Sequence, residues 1–130
     1  MILTLTPNPG IDHTVRVASF QLNSTLRATD SAWGMGGKAT DVAWILGKLG
    51  ISNRALGFVA GENGSRMVRM LQERGVATDF VRVEGETRLN TVLVVSGQGQ
   101  STITTSSIRC FALSRASLAI CGGFVPSVLA

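Results

Sequence analysis

Between a short apolar segment and an amphipathic one, the chain runs Trp33-Gly34-Met35-Gly36-Gly37-Lys38-Ala39-Thr40-Asp41-Val42-Ala43. The glycines remove the side chains that would hold a ligand away from the backbone, and a helix starting behind them aims its free N–H groups back at them. This is the construction of an anion or polar-ligand site. The competing reading is a tight turn that only separates two elements, because short glycine motifs are weakly specific.

The elements on either side of the cluster indicate a fold class. Upstream, Ile2 to Leu5 alternates as a strand and stops at Pro7-Asn8-Pro9-Gly10, where the prolines end sheet pairing. Asp12 is then presented at the end of a sheet, or else caps the turn through its own backbone. His13 to Ala18 and Thr25 to Trp33 read as two further strands, and Arg16 and Arg27 on them are either solvated charges or ligand contacts. Downstream, Thr40 or Asp41 can cap a helix in which Val42, Ile45, Leu46 and Leu49 recur at helical spacing and Gly50 supplies the stop. Arg54 to Ala60 is the next strand, and Ser65 opens a second helix with Met67, Val68 and Leu71 inward, closed by Gly75. Strand, glycine-led helix, strand, helix is the pattern of an α/β fold with a parallel sheet and right-handed crossovers.

Phe80 to Val83 reads as another strand. Thr87 to Val95 then pairs with Ser101 to Thr105 across Gly97-Gln98-Gly99, which places Arg88 and Asn90 on one face of the hairpin. In Ser106 to Ala130, Leu113, Leu118 and Ile120 permit a short helix or strand, and Cys121 to Pro126 reads as a strand ending in a glycine-proline loop.

Composition narrows the function classes. A chain of 130 residues, 45% hydrophobic, is long enough for one globular domain with a modest core, spanning 1–130. No apolar run is long enough to span a bilayer, and Met1 to Thr6 carries no basic leader, so the cytoplasm is the expected compartment. Cys110, Cys121 and His13 lack metal-ligand spacing, which favours free buried thiols over a disulfide or a zinc site. The net charge of +4 and the isoelectric point near 10.0 come from scattered Lys and Arg without an aromatic platform. That pattern suits an anionic small molecule better than a nucleic acid. All eight acidic residues lie at or before Glu86, leaving the last 44 positions without one, so the tail is a different kind of segment or the chain is less than a whole domain.

Three motifs in order carry a resemblance: Thr4-Leu5-Thr6-Pro7-Asn8-Pro9-Gly10-Ile11-Asp12, then Gly36-Gly37-Lys38-Ala39-Thr40-Asp41-Val42-Ala43, then Thr87-Arg88-Leu89-Asn90. Together they resemble the N-terminal part of the PfkB/ribokinase-like sugar kinases, closest to the branch of 1-phosphofructokinases and tagatose-6-phosphate kinases. The resemblance covers roughly residues 1 to 105. It implies the N-terminal part of a doubly wound α/β sheet with a small β-sheet lid, here about 13–33 and 87–105, which often forms the dimer contact. It further implies that Asp12 accepts hydrogen bonds from sugar hydroxyls and that Gly36 and Gly37 let the backbone approach the sugar. Lys38 and Arg88, with Arg27, would hold the phosphate already on the substrate, and Asn90 belongs to the same site. Such roles suit these side chains, since Arg bonds phosphate bidentately and Lys adds a compact charge.

Two departures accompany the resemblance. Ala39 stands where the family usually has glycine, and Asp41 where it has asparagine. A carboxylate only accepts hydrogen bonds and repels a nearby phosphate, so Asp41 either alters the substrate or serves as a helix cap. In the family, ATP, magnesium and the catalytic aspartate belong to the C-terminal half, the last within a Gly-Ala-Gly-Asp motif that this chain does not contain. The expected product is therefore the substrate-side half of an ATP-dependent ketohexose-phosphate kinase, inactive alone, with no catalytic residue of its own and with neither ATP nor magnesium bound well. A truncated or frame-shifted product would account for the acid-free tail. The alternatives are a non-catalytic sugar-phosphate-binding or dimerisation module and, further off, a basic nucleic-acid binder.

Overall fold

A computed structural model describes residues 1–105. The chain forms β1 (Ile2–Thr6), β2 (Gly10–Val17), β3 (Asp30–Gly36), α1 (Lys38–Lys48), β4 (Asn53–Val59), α2 (Gly61–Gln72), β5 (Ala77–Arg82), β6 (Arg88–Val95) and β7 (Gly99–Thr104). They build two sheets. β1, β4 and β5 form a three-stranded sheet in the order β1-β4-β5, parallel throughout. The other four strands form a sheet in the order β3-β2-β6-β7, in which only β2 and β6 run parallel.

The α/β architecture and the parallel pairing agree with the sequence reading, while several boundaries differ. β2 begins at Gly10, so Asp12 lies inside a strand paired on both sides. Its neighbour β3 runs to Gly36 rather than ending at Trp33, which puts Gly34 and Gly36 in extended backbone and leaves only Gly37 at the turn into α1. Asp30 to Gly36 pairs along its whole length with β2, and that ladder overrides the turn preference of the glycines. The segments expected to form a lid, 13–33 and 87–105, contribute to this second sheet, which also takes in 10–12 and 34–36. Readings that fall on Ser106 to Ala130, including Cys110 and Cys121, lie outside the described residues.

Burial explains why the helices sit where they do. α2 presents Met67 and Leu71, both fully buried, to a core shared with Met35, Ala43, Ala55, Val59 and Val76. α1 behaves differently from its periodicity. Its buried face is Thr40 and Ala43, and Gly47 lies so close to Val76 that a Cβ there would sit 2.5 Å from the valine Cγ2. Val42, Ile45 and Leu49 point outward at 50%, 55% and 66% exposure. A small-residue face lets the helix approach its neighbours closely, and this packing outweighs the apolar stripe. Both helices end in the same way: Ile51 N–H bonds Leu46 O at 2.9 Å, and Val76 N–H bonds Leu71 O at 3.1 Å, each following a glycine with positive φ.

Among the described residues the three-stranded sheet is covered on one face only. On β4, Asn53, Ala55, Gly57 and Val59 are buried against the helices, while Leu56 and Phe58 face the other way in line with Leu5 of β1 and Val81 of β5. Leu3 and Leu5 are each 61% exposed. Parallel sheets are ordinarily covered on both faces, so this apolar side is open among the described residues. No helix among the described residues is long and apolar enough to cross a membrane.

The two faces differ in what a truncation costs. Leu71→Ala is expected to destabilise the chain by about 2–5 kcal/mol, because it empties a packed core position. Leu3→Ala is expected to cost less than about 1 kcal/mol, because little of its surface leaves water on folding. Urea unfolding of both variants, followed by far-UV circular dichroism, checks the contrast.

Candidate functional site

β2 sits between β3 and β6, and its register brings three distant segments together. Gly10 faces Gly36 on one side and Arg88 on the other; Asp12 faces Gly34 and Asn90 in the same way. Side chains on a strand alternate between faces, so Arg88 and Asn90 share one face with Asp12. Asn90 Nδ2 donates to Asp12 Oδ1 at 2.6 Å, joining residues 78 positions apart. The glycines beside this pair lie against it: a Cβ on Gly36 would be 2.6 Å from Asp12 Oδ1 and 2.9 Å from Asn90 Nδ2. A Cβ on Gly10 would be 2.8 Å from Arg88 Nε. Any larger residue at either position would displace a polar side chain from the cluster.

α1 starts immediately beyond. Gly37 has φ of 110°, a conformation costly for residues with a Cβ, and turns the chain from β3 into the helix. Helical bonding begins with Asp41 N–H donating to Gly37 O at 2.8 Å, and no side chain caps the start. The N–H groups of Lys38, Ala39 and Thr40 therefore have no acceptor within the helix. Thr40 does not serve as the cap; its Oγ1 donates to Thr6 Oγ1 at 2.9 Å and ties the helix to the end of β1. Asp41 is one turn too late to cap, and its role as a cap is corrected accordingly. Burial first, and the neighbouring Asp12 charge second, hold the Asp41 carboxyl above the usual carboxylate range.

Two atoms of this cluster are buried and have no hydrogen-bond partner among the described residues: Arg88 Nε and Asn90 Oδ1. One is a cationic donor and the other a neutral acceptor. Buried polar atoms are seldom left unpaired, and such orphans mark a place where a ligand or water completes the bonding. Facing them are a carboxylate, an uncapped helix N-terminus and glycine backbone. A polyhydroxylated anion matches this mixture of donors, acceptors and positive charge.

Residues 6–114 match the model of the pfkB family carbohydrate kinases. The chain belongs to this family. It is 31% identical to the 1-phosphofructokinase of Bacillus subtilis over an alignment of 140 positions, covering 99% of this chain and 46% of that protein. It is 36% identical over 98 residues to the 1-phosphofructokinase of Borreliella burgdorferi, covering 75% of this chain and 32% of that protein. Among solved structures, phosphofructokinase-2 of Escherichia coli in complex with substrates and products superposes with a TM-score of 0.74 at 26% identity, over 82% of this chain and 35% of that one. The chain thus spans between about a third and a half of the length of these PfkB relatives.

Within this PfkB fold, Asp12, Gly36, Gly37, Asp41, Arg88 and Asn90 come together as described. Lys38 is the first residue of α1 and is exposed beside them. Arg27 is exposed on the irregular segment between β2 and β3 and makes no hydrogen bond or ion pair to the cluster among the described residues. Several contributors escaped the sequence reading. Thr6 and Thr40 meet across 34 positions, and His13 stacks on Trp33 with ring centroids 4.2 Å apart. Arg66 of α2 lies 4.2 Å from the same Trp33 ring, linking the second sheet to the helical layer. None of these contacts leaves a local pattern; only the alternation that pairs His13 with Trp33 across β2 and β3 hints at one.

Asp41 gives a signed prediction. Its folded-state carboxyl titrates above the reference value of 3.8, so the folded chain holds that proton longer than the unfolded chain does. Stability associated with this group is complete below the reference value and is lost as pH rises through the raised one. Urea midpoints measured across this window should fall less steeply with pH in Asp41→Asn than in the parent chain.

Proposed function

We propose that this chain is the substrate-side half of an ATP-dependent PfkB kinase acting on a ketohexose phosphate such as fructose 1-phosphate or tagatose 6-phosphate, with the cytoplasm as its compartment. The observation that carries this reading is the half-buried Asp12–Asn90 pair, with the buried Arg88 Nε and Asn90 Oδ1 left without partners among the described residues. Sugar hydroxyls donate to the Asp12 carboxylate and to Asn90 Oδ1, which fixes the ring against Gly36 and Gly37. Arg88 and Lys38 bind the phosphate that the sugar already carries, and the open N–H groups of α1 add favourable polarity for an anion. The roles of 1-phosphofructokinases among the similar proteins support the substrate class.

The transferring half of the reaction calls for ATP and magnesium in the complete family, and magnesium is held by oxygen ligands, commonly carboxylates. Among the described residues no three His, Cys, Asp or Glu side chains form a group able to hold a metal ion, and no acidic residue follows Glu86. The role proposed for the described residues is therefore the binding and orienting of the sugar phosphate. The alternative reading is a non-catalytic sugar-phosphate-binding module. In either case the open apolar side around Leu3, Leu5 and Val81 favours association with a second copy.

Isothermal titration calorimetry with fructose 1-phosphate tests the site. Binding is expected in the parent chain and should weaken by about tenfold or more in Arg88→Ala, which removes a charge-assisted bond. Lys38→Ala should weaken it less, since Lys38 is exposed. Equal affinity in all three proteins would refute the site. A coupled assay with ATP and fructose 1-phosphate, fructose 6-phosphate or tagatose 6-phosphate should show no turnover by this chain; measurable turnover would refute the half-enzyme reading.

A further inference from the structure

Residues 83–87 carry the chain from β5 in one sheet to β6 in the other, and the junction of β4 with α2 holds both ends of this span. Val83 N–H bonds Val59 O at 2.9 Å, and Thr87 N–H bonds Ala60 O at 3.0 Å. Thr87 is fully buried. Its Oγ1 accepts from Ala60 N–H at 3.0 Å, and its carbonyl accepts from Asn63 Nδ2 at 3.1 Å. Glu86 completes the arrangement: its carboxylate accepts from Asn63 N–H at 2.6 Å and from Glu62 N–H at 3.3 Å.

The residue that begins α2, Ala60, has no side chain able to cap the helix. Glu86 does so from 23 and 24 positions away, where its negative charge also meets the positive end of the helix. The backbone is shaped to admit it. Gly61 has φ of 63°, and a Cβ there would collide with the Glu86 carboxylate. A Cβ on Gly64 would stand 2.9 Å from Thr87 Oγ1. Four independent features, two side-chain acceptors and two glycine clearances, therefore converge on residues 86 and 87.

The next residue in the chain is Arg88, the cation of the proposed site, with Asn90 two further on. We infer that Glu86 and Thr87 are positioning residues that clamp the root of β6 to α2 and thereby set the placement of Arg88 and Asn90 for the phosphosugar. The inference rests on the site reading above and adds the part of the helical layer that determines its geometry. Thr87 acts through a hydroxyl whose acceptor lone pair fixes the Ala60 N–H. Glu86 acts through charge and hydrogen bonds at the helix end. Neither touches the sugar.

The test uses the full chain with Thr87→Val, Thr87→Ser, Glu86→Ala and Glu86→Gln, each checked for folding by far-UV circular dichroism. Amide hydrogen exchange over residues 88–90 and calorimetry with fructose 1-phosphate are the two readouts. Thr87→Val and Glu86→Ala should speed exchange at 88–90 and weaken fructose 1-phosphate binding by about threefold to tenfold, the loss expected for one or two hydrogen bonds of ordinary net strength. Thr87→Ser should restore both to within about twofold of the parent, since it keeps the acceptor. Glu86→Gln, an exposed change, should lie between the parent and Glu86→Ala. Unchanged exchange at 88–90 in Thr87→Val and Glu86→Ala, or equal losses in Thr87→Val and Thr87→Ser, would overturn the clamp. Failure of the parent chain to bind fructose 1-phosphate would instead overturn the substrate reading, and the exchange measurements would still decide the clamp.

Discussion

The parallel pairing of β2 with β6 is the constraint on which the candidate site depends. It joins residues 78 positions apart, and it places Arg88 opposite Gly10 and Asn90 opposite Asp12. A shift of one residue in this register would send Arg88 and Asn90 to the other face of the sheet. The register is pinned at the end where both strands begin: by the buried Pro9 and Gly10 at the start of β2, and by Thr87 against the start of α2 at the start of β6. Antiparallel hairpins set their own register through a short turn, whereas a parallel pair of this separation needs anchors elsewhere in the fold.

The two helix N-termini show how the same physical feature is used in opposite ways. That of α2 is filled by the chain itself, through Glu86. That of α1 is left without a side-chain cap beside Arg88 and the Asp12–Asn90 pair. One terminus is spent on structure and the other stays available to an anion. The carboxyl of Asp41 sits in the open one, and burial together with the Asp12 charge raises its affinity for a proton.

Packing divides the molecule unevenly. Met67, Leu71, Ala55 and Val59 form a dense layer between the helices and one face of the three-stranded sheet, while Leu3, Leu5 and Val81 on its other face remain open among the described residues. A parallel sheet with one bare apolar face calls for further covering. The fraction of the relatives' length that the chain spans is consistent with that demand. The candidate site, by contrast, draws its described groups from β2, β3, α1 and β6.

The sequence by itself determined the α/β class, the order of the strands and helices and the parallel succession. These follow from local chemistry: apolar alternation and glycine stops such as Gly50 and Gly75. Only the tertiary structure decided that Gly34 and Gly36 belong to a strand, that Thr40 and Ala43 are the buried face of α1 while Val42, Ile45 and Leu49 are exposed, and that Thr87 and Glu86 bond to the start of α2. The reason is physical. A residue's alternation or helical spacing records which side it is on, but which side is buried, and which distant N–H finds an acceptor, is settled by the elements that pack against it. The glycine stretch at 34–37 shows both halves of this: its composition left a length of backbone free of side chains, and its placement between Asp12, Asn90 and the start of α1 came from sheet register.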